Sequence, residues 1–252
     1  MLIKKIILGG ASLSMAACAS TPYAPTLYDR DMAQVETIML VGDPLPDQVI
    51  AAEGATDGAN ITSAAAAAVP LAGLFVAAAA AGVAAKAADI RHDKIDDALA
   101  EAGYDHEAVF LASMTAKLAE QGYAVAVDDE TERKKHELLE EYEGVASAEQ
   151  ADAYLDVVAS GFGFQRAGKR ADWRPVAFVD VRLVSAEDGT TLLDHKLRYN
   201  PLGDQTGTIS IDPDPAHSFA SIDEFTEDPA RLAAALDHVT DVLTGEIAGL
   251  LE

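Results

Sequence analysis

Period-two alternation is clearest in "VAFVDVRLVSAEDGTTLLDHKLRYN" (176–200). Val179, Val181 and Leu183 fall on one face and Asp180 and Arg182 on the other, which predicts a half-buried strand. Asp188-Gly189 is a hairpin-turn dipeptide, and the returning strand places Leu193, Leu197 and Tyr199 together. "ADAYLDVVASGFGF" (151–164) predicts a strand before this hairpin, joined to it by the basic loop "QRAGKRADWRP" (165–175). Within it, Gly161 and Gly163 read as a bulge or turn, since a lone GxG is too little for a phosphate cradle. Shorter strands are predicted at "VETIMLVG" (35–42), stopped by "DPLPD", at "YAVAVDD" (123–129), and at the sheet edge in "GTISI" (207–211).

Elsewhere the period lengthens to that of helices. In "KAADIRHDKIDDALAEAG" (86–103), Ile95, Ala98, Leu99 and Ala102 share a face and Gly103 is a natural stop. Asp105 reads as the N-cap of a second helix, with Phe110, Met114 and Leu118 every four residues. "ETERKKHELLEEYEG" (130–144) predicts a charged surface helix burying only Leu138, Leu139 and Tyr142. Asp228 caps and Pro229 begins a last helix, striped by Leu232, Leu236, Val239, Leu243, Ile247 and Leu250.

The run "AAAAAVPLAGLFVAAAAAGVAA" (64–85) fits neither pattern. No charge occurs between Asp57 and Lys86, a length able to cross a bilayer. Thirteen of its twenty-two residues are alanine, however, which contributes little to insertion. Gly73, Ala77, Ala81 and Ala85 form a row of small residues suited to close helix packing. A buried helix of the same domain, a helix packing on a copy, a partner or the membrane, and a membrane span remain the three readings.

The order of elements predicts an α+β fold: a mixed sheet of about five strands with packed helices, preceded by an Ala-rich helical insertion. The domain reading is a leader over 1–17, a tether over 18–34, a first strand with the insertion over 35–104, and an α+β domain over 105–252.

The leader "MLIKKIILGGASLSMAACAS" has Lys4 and Lys5 ahead of a short apolar stretch, too short to span a bilayer, and then small residues. "MAAC" (15–18) resembles the bacterial lipoprotein signal, or lipobox, with Met15 where an aliphatic residue is usual. That resemblance implies cleavage between Ala17 and Cys18, a diacylglyceryl group on the Cys18 thiol and an acyl group on its new amine. Ala19, in place of aspartate, implies passage to the outer membrane of a Gram-negative cell. Two or three acyl chains anchor firmly where one is marginal, because each buried methylene contributes about 0.8 kcal/mol. Cys18 is the only cysteine, so once acylated it leaves no thiol for a disulfide or thiolate metal site.

A net charge of −24 argues against nucleic acid or an anionic membrane surface as the main partner. Against that background "RAGKRADWR" (166–174) is conspicuous: Arg166, Lys169, Arg170 and Arg174 surround the only tryptophan, Trp173. It is either a hairpin loop balancing nearby acids or a docking loop for an acidic partner, with Trp173 as anchor and Lys169, Arg170 and Arg174 around it. The histidines at 92, 106, 136, 195, 217 and 238 show no ligand spacing and read as solvated; "DPDP" (212–215) and "DEFTED" (223–228) match no calcium loop. No catalytic residue, metal ligand or cofactor is expected beyond the lipid on Cys18.

"ADAYLDVVASGFGF…VAFVDVRLVSAEDGTTLLDHKLRY" resembles lipoproteins with the fold of the curli-secretion channel subunit and the TolB amino-terminal domain, the matching pieces being Ala151 to Val158, Val179 to Val184 and Gly189 to Asp194. The arrangement also resembles uncharacterised proteobacterial lipoproteins with an Ala/Gly-rich run ahead of this domain. The resemblance implies envelope assembly, secretion or transport scaffolding, often as an oligomer. The chain departs from it by its alanine insertion and by lacking a long amphipathic strand pair for a pore, which argues against a channel. The expectation is a lipid-anchored, periplasm-facing, non-enzymatic binding or assembly component with a homo-oligomeric or envelope-protein partner. A passive structural lipoprotein or small-ligand carrier is the alternative, and a hydrolase the third.

Overall fold

Seven strands form one mixed sheet: β1 (Thr37–Val41), β2 (Ile50–Glu53), β3 (Ala124–Asp128), β4 (Ala153–Arg166), β5 (Arg174–Ser185), β6 (Thr191–Tyr199) and β7 (Ile209–Ile211). The computed structural model describes residues 23–53 and 83–252, apart from 129, 132, 134–136, 143–144, 146–150 and 204–205, and only the backbone of 83–89. The order across the sheet is β3-β1-β4-β5-β6-β7, with β2 also pairing with β4. Hairpins make β4, β5 and β6 antiparallel, while β1–β3, β1–β4, β2–β4 and β6–β7 run parallel. The α+β class holds, and the short strands β2 and β7 take the sheet beyond the expected five.

The helices are α1 (Arg30–Ala33), α2 (Val83–Ala102), α3 (His106–Glu120), α4 (Asp223–Glu227) and α5 (Pro229–Gly249). Asp105 caps α3 by accepting from the Ala108 N–H, and Asp228 caps α5 by accepting from the Arg231 N–H. The expected stripes, Phe110, Met114 and Leu118 on α3 and Leu232, Leu236, Val239, Leu243 and Ile247 on α5, are buried. They share one core with Leu155, Val157, Val179, Val181, Leu183, Leu193 and Leu197 from one face of the sheet. Each such large apolar side chain contributes about 1.5–3 kcal/mol on burial.

β4 is long enough to carry two parallel neighbours end to end. β1 lies against Ala153–Leu155 and β2 against Gly163–Arg166. Between them the chain turns away, and the Pro44 carbonyl accepts from the Ala159 N–H at 2.7 Å. β4 shifts register at this point, between Ala159 and Gly161, so a bulge at Ser160 precedes the GFGF stretch, which itself pairs with β5 as strand rather than forming a phosphate loop. "IAAE" carries no local signal for β2, because three apolar residues ending in an acid show too little alternation.

One expectation is corrected, and another gains a structural detail. Residues 130–142, where described, form no helix; they are irregular, with Leu139 and Tyr142 packed against Met39, Val41 and Tyr154 on the second face of the sheet. Asp156 on β4 points into that face and is 0% exposed. Its carboxylate takes the Arg133 guanidinium (2.6 Å), the Leu139 N–H (2.7 Å) and the Tyr142 hydroxyl (2.9 Å). A buried carboxylate needs such a set of donors, and partners reaching it from 133, 139 and 142 override the local helix propensity.

Of the tether expected over 18–34, the part that is described is docked on the domain from Tyr23 onward. Thr26 bridges Asp194 of β6 through paired backbone hydrogen bonds, both 3.0 Å. The Tyr23 hydroxyl donates to the Asp194 carboxylate at 2.7 Å, and Lys196 lies over the Tyr23 ring. Gly207, with φ +80°, admits this contact, since a Cβ there would stand 2.9 Å from the Tyr23 carbonyl oxygen. Further along, Arg30 covers Tyr123 and donates to the Gln121 carbonyl at the end of α3.

Candidate functional site

The structure brings the sequence-marked residues to three places. The first is the hairpin between β4 and β5. Trp173 is 0% exposed, which corrects its reading as a docking anchor. It pairs with Phe219 through two backbone hydrogen bonds, and its ring packs edge-on against Phe225, beside Phe164. The Arg166 guanidinium lies 4.7 Å and that of Arg91 5.9 Å from the indole centroid, and Glu53 pairs with both arginines. Burial lowers the pKa of both guanidinium groups. Lys169, Arg170 and Arg174 are exposed, so the loop presents cations without an aromatic anchor.

Of the other marked positions, Ala17, Cys18, Gly73, Ala77 and Ala81 lie outside the described residues, and Ala85 is described as helical backbone of α2. Among the described residues no helix is long and apolar enough to cross a membrane.

The second place is the polar face of the sheet. Cross-strand register aligns Asp156, Arg182 and Asp194 in one row and Val158, Asp180 and Lys196 in the next. Arg182 pairs with Asp194 at 3.1 Å, and Asp180 pairs with both Lys196 and Arg198. Alternating signs let half-exposed charges satisfy one another across strands. A shallow cleft of about 510 Å³ opens beside this face, lined by Tyr142, Tyr154, Arg182 and the turn from Ser185 to Gly189. Burial, followed by the negative charge of Asp156 and the hydrogen bond to it, raises the Tyr142 pKa strongly, so this phenol stays protonated.

The third place joins three residues that sequence spacing kept apart. Asp214 accepts from the Ala216 N–H at 2.8 Å and so caps the short 3-10 turn Pro215–His217. Its own N–H donates to the hydroxyl of Tyr199, a fully buried residue at the end of β6. His217 at the end of the turn stacks on His238 of α5, with ring centroids 4.4 Å apart and planes at 23°. One potential ligand atom from each of Asp214, His217 and His238 lies within 4.8 Å of the others. Burial first, then His238, lowers the His217 pKa. Only the Asp214–His217 interval had a local signal, since residues three apart nearly eclipse in a 3-10 turn. His238 arrives from a different helix, so two histidines that lie far apart in sequence meet in a stack.

Two imidazoles and a carboxylate are a donor set of the kind that takes a borderline-soft divalent ion. Neither protein-family models nor curated proteins match this chain.

Proposed function

We propose that the chain is an outer-membrane lipoprotein, lipid-anchored at Cys18 and facing the periplasm, that acts as a non-enzymatic binding or assembly component of the envelope. The observation that carries this reading is the docking of residues 23–33 on the domain. Five residue steps separate Cys18 from Tyr23, a reach of at most about 18 Å. An acylated Cys18 therefore holds the folded domain against the headgroup region. Leu27 (73% exposed) and Met32 (81% exposed), the most exposed large apolar side chains among the described residues, sit on the docked segment nearest the anchor. The cationic hairpin tip, Lys169, Arg170 and Arg174, supplies a contact for an acidic partner in an otherwise acidic protein.

Cys18→Ser tests the anchor. The wild-type protein should sediment with outer membranes and carry the mass of a diacylglyceryl and an acyl group, and the variant should lose both properties. A variant that stays membrane-bound, or a wild type of unmodified mass, overturns it. For the assembly role, light scattering on the detergent-extracted protein should give a defined oligomer or complex, and a clean monomer would count against it.

A further inference from the structure

We propose that Asp214, His217 and His238 form a binding site for one divalent transition-metal ion of the zinc class, stapling the loop after β7 to helix α5. The donor set is the first ground. Three protein ligands, two nitrogen and one oxygen, complete a zinc-type site with water in the remaining position. The second ground is how the donors are held. Asp214 is fixed from both sides, by the Ala216 N–H on its carboxylate and by the hydroxyl of buried Tyr199 on its own N–H. This is the kind of outer support that metal ligands need. The turn itself is clamped to α5 by Arg231, which donates to the Ser218 carbonyl and covers the Phe219 ring.

The third ground is the stack itself. Two imidazoles face each other at 4.4 Å, which brings a ring nitrogen of each to the same place beside Asp214. In a near-parallel stack the nitrogen lone pairs lie side by side, so capture of the ion turns one ring to converge with the other and with Asp214. Donor atoms already within 4.8 Å need only that side-chain rotation to reach bonds of about 2.0–2.1 Å. The high negative charge raises the local concentration of any divalent cation.

The test is equilibrium dialysis of the untagged, full-length protein in mild detergent against zinc(II), with metal analysis. One ion per chain is expected, with His217→Ala and His238→Ala each weakening binding by at least about tenfold. Calcium(II) serves as the control for surface carboxylates, which prefer hard cations. Both imidazoles are partly exposed, so circular dichroism of the metal-free variants should match the wild type. Should a variant misfold, cobalt(II) added to the wild type should broaden the His217 and His238 ring resonances before any others. No zinc bound, binding unchanged in both variants, or broadening spread over the acidic surface would each overturn the site.

Discussion

Gly163 is a single residue on which the β2–β4 contact depends. Its φ of +147° is a conformation that favours glycine, and a Cβ there would lie 2.3 Å from the Ile50 carbonyl oxygen and 2.6 Å from its nitrogen. Backbone, not a flexible side chain, stands in the way. Gly163→Ala should therefore destabilise the domain by about 2–4 kcal/mol in urea unfolding; a loss under about 0.5 kcal/mol would show that the strands separate without cost. His195 presents a different constraint. It is 7% exposed on the core side of β6, its Nδ1 has no hydrogen-bond partner among the described residues, and burial lowers its pKa against the opposing pull of Asp194. Below the unfolded value of about 6.5, the unfolded chain takes up a proton that the folded one refuses. Stability should fall as pH drops through that value, and the term should vanish above it. His195→Leu should flatten that slope between pH 7 and about pH 5.5, and an unchanged slope would assign the loss to other groups.

At the scale of elements, the informative case is the segment over 130–142. A window so rich in Glu and Lys has every local reason to be helical. Where described it is instead irregular and held to the sheet, because the buried pair Arg133–Asp156 outweighs propensities of a few tenths of a kcal/mol per residue. The Arg133 guanidinium also donates to the Gly42 and Glu137 carbonyls, so removing its partner leaves a buried charge held by two neutral carbonyls alone. Asp156→Ala should cost about 3–5 kcal/mol. It should also make the 130–142 segment the first site of limited proteolysis. Unaltered cleavage with unaltered stability would mean that the stacked Tyr142 and Tyr154 hold the segment without the ion pair. The two long hairpins and α5, by contrast, formed where their local patterns placed them, since propensity, turn chemistry and burial agree there.

For the whole molecule, the two faces of the sheet divide the work. One carries the helices and the continuous apolar core; the other carries rows of paired charges, the 130–142 segment and a small apolar patch of Met39, Val41, Val145 and Tyr154. The docked segment from Tyr23 pairs with the edge of β6, so the anchor we propose would fix which side of the domain approaches the bilayer. An acidic protein held there is repelled by anionic headgroups. Leu27 and Met32 then become the residues suited to touch lipid, and the acylated cysteine the source of affinity. The Cys18→Ser outcome therefore bears on orientation as well as location.

The sequence by itself determined the α+β class, the β4–β5–β6 meander, the Asp105 and Asp228 caps and the buried stripes of α3 and α5. All of these rest on local periodicity or on cap and turn residues within a few positions of one another. Tertiary structure alone decided that Trp173 faces inward, that 23–34 docks on the domain, that 130–142 is not helical, and that His217 meets His238. Each depends on a partner distant in sequence: Trp173 on Phe219, Thr26 on Asp194, Arg133 on a strand past residue 150, and His217 on a helix that begins a loop later. The free energy that fixes them comes from burial and long-range pairing, which no window along the chain contains.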